Sequence, residues 1–63
     1  MNLPEKLKKI REQKKLSQSE LAVKANVSQS MVAQIERGTK SPTVNLTIEL
    51  AKALDVEVNE LIC

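Results

Sequence analysis

The chain has no aromatic residue, no histidine, one glycine and a single cysteine, at its last position. Each shortage closes a class of function. Without imidazole there is no serine triad, no Cys–His nucleophile and no His₂ metal site. A lone thiol, Cys63, forms neither an internal disulfide nor an ordinary zinc site. An enzyme is therefore not expected, and neither is a metal, a cofactor or an evident small-molecule ligand. Without aromatic side chains the stacking platforms for single-stranded nucleic acid and most RNA are missing. No apolar run exceeds three residues, which leaves neither a membrane span nor a signal-peptide core. What remains is one small domain, residues 1–63, 41% hydrophobic and 29% charged, expected to be soluble and cytoplasmic. A chain of this length buries only about 60% of its unfolded surface, so it is marginal unless dense or oligomeric.

The net charge of +2 conceals a gradient. Residues 1–40 hold nine basic groups against four acidic ones, whereas residues 41–63 hold only Lys52 against Glu49, Asp55, Glu57 and Glu60. A polyanion-facing surface at one end explains this asymmetry, and so does an ordinary solvated helix face.

Apolar spacing and capping residues predict an all-α fold of five short helices. Pro4 suits a first helical turn, and Leu3, Leu7 and Ile10 recur at helical spacing. That helix is expected to stop near Lys15–Leu16. Ser17 and Glu20 form a capping box for a second helix with Leu21, Ala22 and Ala25 inside. Asn26 suits a sharp left-handed turn. Ser28 is the expected cap of a third helix with Val32 and Ile35 inside, closed by Gly38. Thr43 caps a fourth, carrying Val44, Ile48, Ala51 and Leu54. Asp55 makes the next turn, and residues 56–62 form a brief fifth helix.

The segment of about 17–37, helices two and three, reads as a helix-turn-helix. Ala22 is small where the helices cross, and Asn26 sits where positive φ is needed. Leu21, Ala25, Val27, Val32 and Ile35 are apolar where the pair must pack. A generic αα-hairpin is the plainer alternative.

Three stretches in register, "KIREQKKLSQSELA", "NVSQSMVAQIERGTKSPT" and "LAKALDVEVNELI", carry a family likeness. From Leu7 to Leu61 the chain resembles the compact five-helix DNA-binding domain of lambda-type phage repressors and Cro proteins, within the wider xenobiotic-response-element-like regulators. Lys15 and Asp55 depart from the pattern where glycine often stands, which should add backbone strain. Glu57 replaces the usual Ser or Thr cap, so helix five should fray.

At about 100° per residue, Gln29, Ser30, Ala33, Gln34 and Arg37 lie opposite Val32 and Ile35. The first two stand at the helix end that enters the major groove in this motif. A glutamine amide matches N6 and N7 of adenine, and a serine hydroxyl is a less selective partner. The resemblance implies that Gln29, Ser30 and Gln34, with Ala33 among them, read base edges, and that Gln18 bonds a phosphate and braces Gln29. Plain solubilising surface is the alternative for these glutamines. Arg37, Lys40, Ser41, Thr43 and Asn45 surround the start of helix four, where free N–H groups and the helix dipole suit a phosphate. Ser28 joins these phosphate contacts, which position without reading sequence. Glu36 looks misplaced on such a helix, and the resemblance implies an internal ion pair with Arg11.

Val58, Leu61 and Ile62 are too many exposed apolar groups for one short helix: some are expected to pack back on the core, and the remainder, in the acidic half, to form a homodimer contact, which also offsets a small core. Cys63 beside them is either an incidental reduced thiol or an intermolecular bridge. The expected function is a sequence-specific, double-stranded DNA-binding transcriptional regulator. It is read as a nucleoid-associated repressor that binds a near-palindromic operator as a dimer. A protein-interaction or antitoxin-type module on the same fold is the rival, favoured if the basic surface around Lys40 were lost.

Overall fold

The computed structural model describes residues 2–62, so Cys63 and both readings of it lie outside the described residues. Five helices follow in order: α1 Leu3–Gln13, α2 Gln18–Ala25, α3 Gln29–Arg37, α4 Val44–Leu54 and α5 Val58–Ile62. The pair α2–α3 is the expected helix-turn-helix. It packs on α4 and α1, and α5 closes the far side against α1 and α4.

Helix starts follow the capping residues. Ser17, Ser28 and Thr43 each accept the N–H three residues on, at 3.0 to 3.1 Å. Asn2, which the sequence reading did not single out, does the same for α1 at 3.2 Å. Glu20 completes the capping box by accepting from the Ser17 N–H at 2.8 Å. That bond, with a hydrogen bond from the Ser17 side chain, holds the Glu20 carboxyl below its ordinary range. Helix α5 lacks a hydroxyl cap, yet Glu60 reaches back to accept from the Glu57 N–H at 2.9 Å. This bond offsets the fraying expected from Glu57.

The first four helices all end in one way. A left-handed residue follows each, directly after α2, α3 and α4 and one residue on, past Lys14, after α1; its N–H and that of the next residue bond back to the last-turn carbonyls. The four are Lys15 (φ 60°), Asn26 (φ 60°), Gly38 (φ 80°) and Asp55 (φ 58°). The returning bonds of the second kind are Leu16 to Arg11, Val27 to Ala22, Thr39 to Gln34 and Val56 to Ala51, at 2.9 to 3.1 Å. Helix α1 therefore stops at Gln13, two residues short of the expected end. Lys15 and Asp55 hold the strained conformation anticipated for them.

The core is Leu7, Leu21, Ala22, Ala25, Val32, Ile35, Leu50, Ala51, Leu54 and Leu61. Leu3, Ile10, Leu16, Val27, Val56 and Val58 pack around it. Helix α4 corrects the expectation. Val44, one of the four apolar residues this helix was expected to carry, is 78% exposed, because the first residue of the helix overhangs the core. Ile48 is only half-buried, and the inner stripe is Thr47, Leu50, Ala51 and Leu54. Thr47 is tolerated there because its hydroxyl donates to the Thr43 carbonyl at 2.9 Å.

The final helix brings the second correction. Leu61, assigned to a dimer contact, is fully buried in its own chain. Apolar spacing cannot distinguish a helix that docks on its own core from one that docks on a copy. Val58 is half-buried against the core, and of the three proposed contact residues only Ile62 is exposed.

Candidate nucleic-acid interface

Helix α3 has one face sealed and one face open. Val32 and Ile35 have no solvent exposure, which locks the helix against α2 and α1. The opposite face begins with Gln29 and Ser30, both exposed in the first turn, and continues through half-buried Ala33 and Gln34 to exposed Arg37. The Gln34 amide donates to the Ser30 hydroxyl at 3.4 Å, a long bond that holds neither side chain firmly. Gln29 makes no side-chain hydrogen bond among the described residues, so its whole amide edge is available. Ser28 spends an acceptor on the Met31 N–H but keeps its own O–H to donate.

Lys40, Ser41, Thr43 and Asn45 are all exposed around the start of α4. Thr43 accepts from the Leu46 N–H and, like Ser28, retains a free hydroxyl proton. The Val44 and Asn45 N–H groups belong to the first helical turn, where no intrahelical carbonyl can reach them. Exposed Val44 at this edge was missed by the sequence reading. Its signal was positional, since apolar residues at a helix start often project past the core.

Behind these surfaces lies an ion pair. Arg11 Nε donates to Glu36 Oε2 at 2.6 Å and Arg11 Nη2 to Glu36 Oε1 at 3.1 Å, a bidentate fork. The two side chains are only 10% and 4% exposed. Arg11 Nη1 also donates to the Leu16 carbonyl at 2.7 Å, tying α1 to the turn before α2. The bond to Glu36 raises the Arg11 pKa above its ordinary value, against the opposing effect of burial.

Gln18 differs from expectation. Its amide donates to Glu36 Oε1 at 3.0 Å, and no hydrogen bond joins it to Gln29 among the described residues. No local pattern announces this contact, because it joins residues far apart in the chain. Elsewhere, no cluster of three metal-ligating side chains occurs among the described residues, and no helix is long and apolar enough to cross a membrane.

The arrangement has relatives. A family model described as helix-turn-helix matches residues 7–61. The immunity repressor protein of Bacillus phage phi105 is 37% identical over 62 residues, covering 98% of this chain and 43% of that protein. An HTH-type transcriptional regulator of Sinorhizobium fredii, y4dL, is 39% identical over 57 residues, covering 90% of this chain and 29% of that one. The chain thus spans less than half the length of these two relatives. The P22 c2 repressor, solved in complex with a synthetic operator, superposes with a TM-score of 0.91 at 26% identity. That match covers 98% of this chain and 94% of the P22 chain.

Proposed function

Because this chain belongs to the helix-turn-helix family, we propose that it is a sequence-specific, double-stranded DNA-binding transcriptional regulator of the repressor type, not an enzyme. The first turn of α3 carries the reading. It offers the unengaged amide of Gln29 beside exposed Ser30, on a helix whose other face is sealed by Val32 and Ile35. Helix α3 lies in the major groove, where Gln29, Ser30, Ala33 and Gln34 meet base edges. Gln18, Ser28, Arg37, Lys40, Ser41, Thr43 and Asn45 hold the flanking phosphates. The resemblance to a repressor solved on operator DNA supports this orientation.

The domain measures 24 × 23 × 20 Å. One copy is shorter than the ~34 Å between successive major grooves on one face of the duplex, so two copies suit a two-fold operator. We read the protein as a homodimer on a near-palindromic site, acting in the cytoplasm at the nucleoid, with residues 1–63 serving as one DNA-binding unit. Selection of bound sequences from random duplex DNA at fixed salt tests this. The expected result is a pair of inverted half-sites about 10–10.5 base pairs apart, centre to centre, or a multiple of that. Recovery of unrelated sequences removes the readout, and a single uninverted half-site removes the dimer.

A further inference from the structure

Glu36 accepts three hydrogen bonds, two from Arg11 and one from Gln18, and Oε1 is shared between Arg11 Nη2 and Gln18 Nε2. Arg11 alone satisfies the charge of this carboxylate. The Gln18 bond is therefore an addition whose purpose is not pairing. Gln18 is the first residue of α2 and only half-buried, so water could serve its amide equally well. Fixing such a side chain costs rotamer freedom that offsets the bond, which makes it a weak contributor to stability.

The bond does fix direction. Only the amino group of an amide can donate to a carboxylate, so Nε2 faces Glu36 and the second Nε2 proton remains for another acceptor. That proton is carried by the first residue of α2, the side chain assigned above to a phosphate.

We infer that Glu36 is a positioning residue for DNA binding: it holds the Gln18 amide in the orientation that donates to a phosphate before DNA arrives. This rests on the DNA-binding reading above. The ion pair then has a second role, since Arg11 holds Glu36, which in turn holds Gln18. A contact ordered in the free protein does not charge its ordering entropy to the complex.

The test is a double-mutant cycle on the selected duplex, at a temperature where circular dichroism shows every variant folded. Glu36→Gln leaves one acceptor oxygen for three donors. It also adds one net positive charge, which by itself strengthens binding to any duplex. The expected result is the opposite sign: affinity falls roughly three- to tenfold, and Gln18→Ala in that background adds little further loss. If Glu36→Gln binds as well as or better than the parent, or if the two losses multiply, the inference is overturned. Should Glu36→Gln not fold, side-chain amide proton exchange in the unmutated free protein decides. Slowed exchange at Gln18 Nε2, lost in Gln18→Ala and kept in Gln29→Ala, is expected; exchange at the rate of a free glutamine overturns the inference. A parent chain that binds no duplex removes the DNA-binding reading itself, whereas a parent that binds with multiplying losses removes only the role of Glu36.

Discussion

Helices α3 and α5 both carry polar residues outward and apolar residues inward, yet they support different surfaces. Helix α3 is nine residues long, capped by Ser28, closed by left-handed Gly38 and pinned by two fully buried side chains. Its outward groups are uncharged or cationic apart from Glu36, which is turned inward onto Arg11. Helix α5 is five residues long, with Leu61 its one fully buried side chain and Val58 half-buried beside it, and its exposed groups include Asn59, Glu60 and Ile62. Of these two helices the more firmly held one lies in the basic half of the chain, and a firm hold is what placing an amide against a base edge requires.

The largest expected effect separates the two apolar neighbours of α5. Leu61→Ala empties a fully buried site and should cost about 2–5 kcal/mol, a large part of the stability of so small a domain, measured by thermal or urea denaturation. Ile62→Ala should change monomer stability by less than about 0.5 kcal/mol. If Ile62→Asp also leaves the sedimentation coefficient unchanged at micromolar concentration, both free and on DNA, α5 is not a dimer contact.

Next in size is Gln29→Ala in the opposite helix. It should cost about 1–3 kcal/mol per half-site and relax preference at one base pair, leaving binding to random duplex nearly intact. Equal losses on specific and random DNA would take α3 out of the groove.

A matched pair of glycine substitutions sharpens the comparison. Lys15→Gly relieves left-handed strain worth roughly 1 kcal/mol and should raise the melting temperature by about 4–8 °C, whereas Asp55→Gly should raise it by less because aspartate tolerates this conformation. Only Lys15→Gly also removes positive charge from the basic half, and it alone should weaken DNA binding. Identical binding by both variants would mean that the charge gradient has no part in recognition.

The smallest effect belongs to Lys40→Ala. It should weaken binding to all sequences about equally and flatten the slope of log affinity on log salt by about one unit. An unchanged slope places Lys40 away from phosphate.

Local chemistry made most of the fold legible. Ser17, Ser28, Thr43, Asn26 and Gly38 act within a few residues of themselves, through hydrogen bonds to their own helix ends, so their roles can be read without knowing the partners. The alternation around Val32 and Ile35 likewise exposes Gln29 and Ser30 whatever lies beneath, because a helix has one period.

Tertiary structure decided three other matters. Whether Val44 or Leu50 faces inward depends on where the core ends, and spacing alone places Val44 on the same stripe as Thr47, Ala51 and Leu54. Whether Leu61 meets its own chain or a copy depends on how α5 folds back between α1 and α4. The partner of Gln18 depends on the crossing of α2 over α3, which brings Glu36 to it from eighteen positions away. Burial and long-range hydrogen bonds are properties of pairs of elements, and a pattern written along one helix carries no record of the other.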